Sequence, residues 1–151
     1  LGGGVLGDQD CHDLTIAREE DAIWYLGDSG FKKMSITTGE TLSNWTSSGL
    51  VTDPNHLQMI EDEEYAIISS RATNAFLKVE VASGDIKWIV GGKNGTVPIY
   101  DEFGNKHEAG TDYAADLFWG QHNVEYMGDD KYYLFDDGSY LNDELTVIRS
   151  K

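Results

Sequence analysis

Apolar positions along the chain fall into short runs separated by acidic or Gly-containing turns, and no stretch sustains a helical period. Runs rich in β-branched and aromatic residues predict strands at "AIWYL", "YAIISS" and "KYYLF", with further strands at "FKKMSI" and "FLKVEV". The turns "TTGE" and "ASGD" then predict hairpins leading to last strands that end in Trp45 and Trp88. The fold class expected is all-β.

These strands recur as a unit. Each of three stretches opens with a histidine (His12, His56, His122), then a short apolar strand, an acidic turn and a β-rich strand. The acidic turns are Arg18-Glu19-Glu20-Asp21, Glu61-Asp62-Glu63-Glu64 and Gly128-Asp129-Asp130. His12 and His56 lie about 44 residues apart, and Gly39 and Gly84 about 45. Two landmarks thus give one period, and four short strands per 40 to 50 residues is the spacing of β-propeller blades. A β-sandwich is the alternative, but it requires no fixed period. The repeats span about 12–45, 56–92 and 122–151, with an inserted segment at about 93–118 that reads as an irregular loop. Propellers have roughly four to eight blades. Residues 1–151 are therefore expected to form a partial propeller whose remaining blades come from the same or another chain.

Composition narrows the partners. The net charge of −16 repels phosphate backbones and anionic membrane surfaces, which argues against nucleic acid as a ligand. No apolar run is long enough for a membrane span. The opening "LGGGVLG" lacks the basic start of a signal peptide, so the chain is expected to begin after a processing point or inside a longer product. Cys11 is the single cysteine, which excludes an intrachain disulfide. Asn44-Trp45-Thr46 and Asn94-Gly95-Thr96 are sequons, and Asn44 and Asn94 are candidate glycosylation sites if the chain is secreted from a eukaryotic cell.

A histidine at the same place in each repeat turns several imidazoles toward one axis. They could close hydrogen bonds between blades or share a site in the central funnel. Arg71, at the end of "YAIISSR", suits either a rim position or an inward-facing anion ligand. A guanidinium can fork onto an oxyanion with two parallel hydrogen bonds.

At this point a family resemblance appears. "NHLQMIEDEEYAIISSRATNAFLKVEVASGDIKWIVGGKNG" followed by "FWGQHNVEYMGDDKYYLFDDGS" resembles the arylsulfotransferases. The resemblance implies a six-bladed propeller that moves a sulfuryl group between phenols without a nucleotide sulfate donor or other cofactor. By position, His122 matches the family's nucleophilic histidine, His56 and Arg71 match the residues that hold the sulfuryl oxygens, and His12 matches a further channel histidine. The implied chemistry forms a covalent sulfo-histidine and splits one displacement into two steps. Donors fixed around the equatorial oxygens and a second histidine acting as acid and base would complete it. The implied partners are an aryl sulfate and a phenol, and the implied location is the extracellular space or secretory pathway (the periplasm in a bacterium). This chain reads Asp136-Asp137-Gly138 where the family has Asp-Asn-Gly, and Ala72 follows Arg71 where the family has histidine.

Two other functions compete with the enzyme. One is a non-catalytic extracellular propeller acting as a structural or interaction module. The other is calcium-supported recognition through acidic loops such as "GDDK" and "DDGSYLNDE", although neither has the spacing of an EF-hand.

Overall fold

The computed structural model describes residues 12–19, 21–101, 103–111 and 118–136. Cys11, Glu20, the end of the inserted segment, Asp137, Gly138 and the last part of the third repeat lie outside the described residues.

The described residues are all β, as the runs predicted. In the first repeat, β1 (Leu14–Ile16), β2 (Ala22–Gly27), β3 (Gly30–Ser35) and β4 (Thr41–Thr46) form an antiparallel sheet in chain order. The second repeat repeats the meander with β5 (Pro54–Ile60), β6 (Tyr65–Ser70), β7 (Ala75–Glu80) and β8 (Ile86–Gly91). The third repeat contributes the hairpin β11 (His122–Gly128) and β12 (Lys131–Phe135). Two four-stranded blades and the start of a third are present, and the described strands do not close a ring.

The inserted segment is more ordered than its composition suggested. Residues Ile99–Tyr100 (β9) and Lys106–His107 (β10) pair as a short antiparallel ribbon. The cause is local. Asp101 accepts hydrogen bonds from the backbone N–H groups of Phe103 (2.9 Å) and Asn105 (2.8 Å) and from the Asn105 amide (2.8 Å), closing the turn. Those bonds favour the ionised form and bring the Asp101 carboxyl down to about 2, against a desolvation that works the other way. Two-residue strands are too short to leave an alternating pattern in a sequence.

Burial explains why the second repeat is the most apolar. Ala66, Ile67 and Ile68 are fully buried, so β6 is covered on both faces. Ala66 and Ile68 join a core shared with Trp24, Leu26 and Phe31 of the first repeat. Ile67, one residue out of phase, joins Phe76, Phe118 and Val124 on the other side. Consecutive side chains on a strand point to opposite faces, so one strand serves two interfaces. The two serines that interrupt its apolar run fasten the flanking connections. Ser70 Oγ donates to the Thr52 carbonyl (2.9 Å), while Ser69 Oγ lies 3.4 Å from the Gln121 carbonyl.

The repeat-closing tryptophans pack between blades. Trp45 stacks on Phe31 of its own blade at 5.4 Å and donates its indole N–H to the Gly84 carbonyl of the next (2.9 Å). Gly84 sits at φ +77°, and a Cβ there would stand 3.1 Å from the Trp45 ring, so two requirements favour glycine. Trp88 meets Phe76 at 5.8 Å and Tyr132 of the third repeat at 5.5 Å, both edge to face. Trp88→Ala is expected to cost about 3 kcal/mol in urea unfolding, because it removes a large aromatic from this junction. A loss below about 1 kcal/mol would contradict the packing described.

The acidic turns of the first two repeats are cross-linked. Arg18 Nη1 lies 3.3 Å from Asp62, and Lys33 pairs with both Glu19 and Glu63. Glu61, Asp62 and Glu63 all adopt positive φ, which winds this turn left-handed. The exposed Arg18–Asp62 pair contributes little on its own, whereas Lys33 and Glu63 meet with both side chains mostly covered. They still show that part of the acidic excess is matched across a blade boundary.

Candidate functional site

The first strands of the three repeats lie side by side. β5 packs against β1 on one flank and β11 on the other. Their N-terminal ends therefore meet, and this is where the four candidate residues enter.

His56 is in β5, buried, and paired across the ladder with Ser69. A register shift between Pro54 and His56 marks a bulge that resets which residues face the first repeat. His56 Nδ1 lies 2.7 Å from Asp13 Oδ2, and the same carboxylate oxygen accepts the Leu57 N–H at 3.0 Å. On the other edge of the ring, Nε2 is buried 3.7 Å from Glu125 Oε1 of β11, beyond hydrogen-bond range. One imidazole thus stands between carboxylates from the repeats on either side. Neither Asp13 nor Glu125 was singled out from the sequence.

Asp13 responds to these contacts. Burial works to raise its pKa, but the hydrogen bonds from His56 and Leu57 outweigh burial and hold the carboxyl below its ordinary value. A depressed carboxyl contributes stability that is complete above its ordinary value of 3.8 and is lost as pH falls through the lower folded value. Asp13→Asn is expected to cost about 1–2 kcal/mol near neutrality. The deficit should shrink as the wild type is titrated below its ordinary range. A variant as stable as the wild type at pH 7 would show that this contact carries no stability.

His122 opens β11 opposite Phe135, and a register shift follows it, with Asn123 at φ 52°. The preceding residue fixes its entry. Gln121 is fully buried, and its amide N–H groups donate to the carbonyls of Ser70 (3.0 Å) and Ala75 (2.8 Å). Its own carbonyl accepts from Asn55 Nδ2 at 2.7 Å. Farther along, Gln58 Oε1 accepts the Tyr126 N–H at 2.6 Å. The third repeat is therefore latched to the second by glutamine and asparagine side chains gripping backbone.

Arg71 follows β6 directly. Its N–H donates to the Asp53 carbonyl (3.0 Å), and its guanidinium lies 3.9 Å from the Asp53 carboxylate, with 30% of the side chain exposed. Because Gln121 touches Ser70, Arg71 and His122 are each one residue along the chain from a direct contact. His12 is likewise one residue from Asp13, but its own side chain is exposed. The backbone thus gathers His12, His56, Arg71 and His122 at one end of three neighbouring strands. The direct side-chain contacts at that junction run through Asp13, His56 and Glu125.

Asp136 of the Asp-Asp-Gly stretch accepts the Trp119 N–H at 2.9 Å and so braces the loop leading to His122. Among the described residues, no group of three or more His, Cys, Asp or Glu is arranged to hold a metal ion. No helix long and apolar enough to cross a membrane is present among the described residues. Both sequon asparagines are exposed. Asn94 lies in a turn, whereas Asn44 is on the edge strand β4 and not in a turn.

A comparison with curated proteins returned no match. The family model described as arylsulfotransferase (ASST) matches residues 31–151, a span that includes His56, Arg71 and His122 and begins after His12 and Asp13. Matched over most of its length and built of the antiparallel blades that the resemblance implied, the chain belongs to the arylsulfotransferase family.

Proposed function

We propose that this chain supplies three blades of a propeller that transfers a sulfuryl group from an aryl sulfate to a phenol. The single observation that carries the reading is the family match together with its placement. The matched His56, Arg71 and His122 enter at the common end of the first strands. In the proposed reaction a nitrogen of His122 forms a bond to sulfur as the bond from sulfur to the aryl oxygen breaks. The departing phenolate takes a proton, and Arg71 donates hydrogen bonds to the sulfuryl oxygens. In the second half the acceptor oxygen attacks sulfur, the S–N bond breaks, and the acceptor's proton goes to a base. His12 and His56 are the candidates for those proton transfers. The remaining blades come from the same or another chain, and we place the protein in the secretory pathway or periplasm. There Asn44 and Asn94 would be open to glycosylation if the cell is eukaryotic.

One feature favours a second reading. Asp13 and Glu125 surround His56 with negative charge and leave little of it exposed, which suits a fastener between blades. On that reading the propeller is a structural or interaction module. The assay that separates the two uses the complete protein with 4-nitrophenyl sulfate and phenol. Release of nitrophenol that requires the acceptor supports the enzyme. A folded protein without turnover supports the module.

A further inference from the structure

His56 is a buried imidazole whose two nitrogens face carboxylates of different repeats. An ionised carboxylate only accepts, so the 2.7 Å contact with Asp13 places a proton on Nδ1. Nε2 is then the nitrogen free to gain or lose one. It is covered, with no hydrogen-bond partner among the described residues, and a covered nitrogen does not reach a substrate oxygen directly. Glu125 of β11 lies 3.7 Å from it and is partly open, with 28% of its side chain exposed.

Register puts Glu125 beside His122. Glu125 pairs with Tyr133 and His122 with Phe135, and these partners are two residues apart on β12. Residues two apart on a strand share a face at about 7 Å spacing, and directly paired residues point the same way. His122 and Glu125 are three residues apart, which an unbroken strand would send to opposite faces. The shift between them, with Asn123 at φ 52°, brings both onto one face. Burial agrees: Tyr133 and Phe135 are about half exposed, while Val124 is fully buried and Leu134 packs with it on the opposite face. Glu125 Oε1 also lies 3.5 Å from Asn123 Nδ2, its neighbour at the bulge.

We propose that Glu125 is a further catalytic residue, the group that exchanges a proton with the aryl oxygen and relays it to and from His56 Nε2. Asp13 is the positioning residue that holds the imidazole from behind. The assignment rests on the sulfuryl-transfer reading with His122 as nucleophile. As the His122 nitrogen bonds to sulfur and the bond from sulfur to the aryl oxygen breaks, that oxygen takes a proton from the Glu125 carboxyl. Glu125 recovers it from Nε2. In the second half the acceptor's proton passes to Glu125 and on to Nε2 as the acceptor oxygen bonds to sulfur and the S–N bond breaks. Each turnover thus returns the relay to its starting state. The 3.7 Å gap between Nε2 and Glu125 must narrow for this, and catalytic hydrogen bonds are often long until substrate is bound.

Two donors that differ in their leaving group test this in single-turnover transfer to the complete protein, without acceptor. Nitrophenolate departs as a stable anion and needs no proton, whereas phenolate does. Glu125→Gln, which keeps the side chain's shape, should slow transfer from phenyl sulfate about 100-fold and from 4-nitrophenyl sulfate less than about threefold. A second measurement needs no variant. Wild-type rates across ring-substituted phenyl sulfates should fall only gently as the phenol becomes less acidic, because the proton arrives as the bond breaks. A steep fall in the wild type would overturn the proposal. So would equal losses for both donors in Glu125→Gln, the pattern of a fastener between blades, or no loss for either. Each of those results leaves transfer through His122 standing. No transfer from either donor to the wild type would remove the sulfuryl-transfer reading and this assignment with it.

Discussion

Replacing His122 with asparagine in the complete protein is expected to abolish sulfuryl transfer, lowering kcat by a factor on the order of 10³ or more. Asparagine is polar and of similar size but cannot carry the sulfuryl group. The position tolerates the exchange on structural grounds, since His122 is half-buried at the start of β11 and the strand is held by Gln121 and Gln58. Thermal unfolding should therefore stay close to wild type, separating lost chemistry from lost structure. Arg71→Ala should lower the rate by about 2–4 kcal/mol of barrier through lost oxyanion stabilisation. Wild-type turnover in the His122 variant would move the nucleophile elsewhere.

The second large effect is on stability. Gln121→Ala is expected to cost about 3 kcal/mol in urea unfolding, because the Ser70 and Ala75 carbonyls each lose one donor and a fully buried side chain leaves a void. Gln121→Glu should be at least as damaging. A carboxylate would face the carbonyl oxygens of Ser70 and Ala75 in place of an amide donor. If Gln121→Ala unfolded within about 0.5 kcal/mol of wild type, the latch between the second and third repeats would carry no weight.

Much of the fold was legible because each repeat writes the same local chemistry. The glycine turns at Gly39 and Gly84, the β-rich strands and the closing tryptophans are readable one repeat at a time. Their equal spacing then gives the blade period. Trp45 and Trp88 pack between blades because a bulky aromatic at the end of an outer strand has a neighbouring blade to cover it. The ribbon of β9 and β10 was not legible as strand, although the Asp101 to Asn105 spacing was a sign of a closed turn.

The candidate site was legible as a place more than as a set of contacts. The repeated histidine marks the start of each first strand, and those starts do meet. Which side chains then touch depends on register between blades, and bulges near His56 and His122 shift that register. Asp13 and Glu125 had no signal apart from lying one residue after His12 and three after His122. Gln121 stood in the Gln-His pair, and its burial assigns it a structural task that its sequence context did not separate from chemistry. The two serines before Arg71 interrupt an otherwise apolar strand because their hydroxyls are engaged with connecting backbone.

The central claim is that sulfur becomes covalently bound to His122, and intact-protein mass spectrometry addresses it without depending on turnover. The complete protein is exposed to 4-nitrophenyl sulfate in the absence of acceptor, then digested to locate any adduct. The account predicts a gain of about 80 daltons, the mass of one sulfuryl group, on His122, discharged when phenol is added. A folded protein that gains no mass, or gains it on another residue, would contradict it.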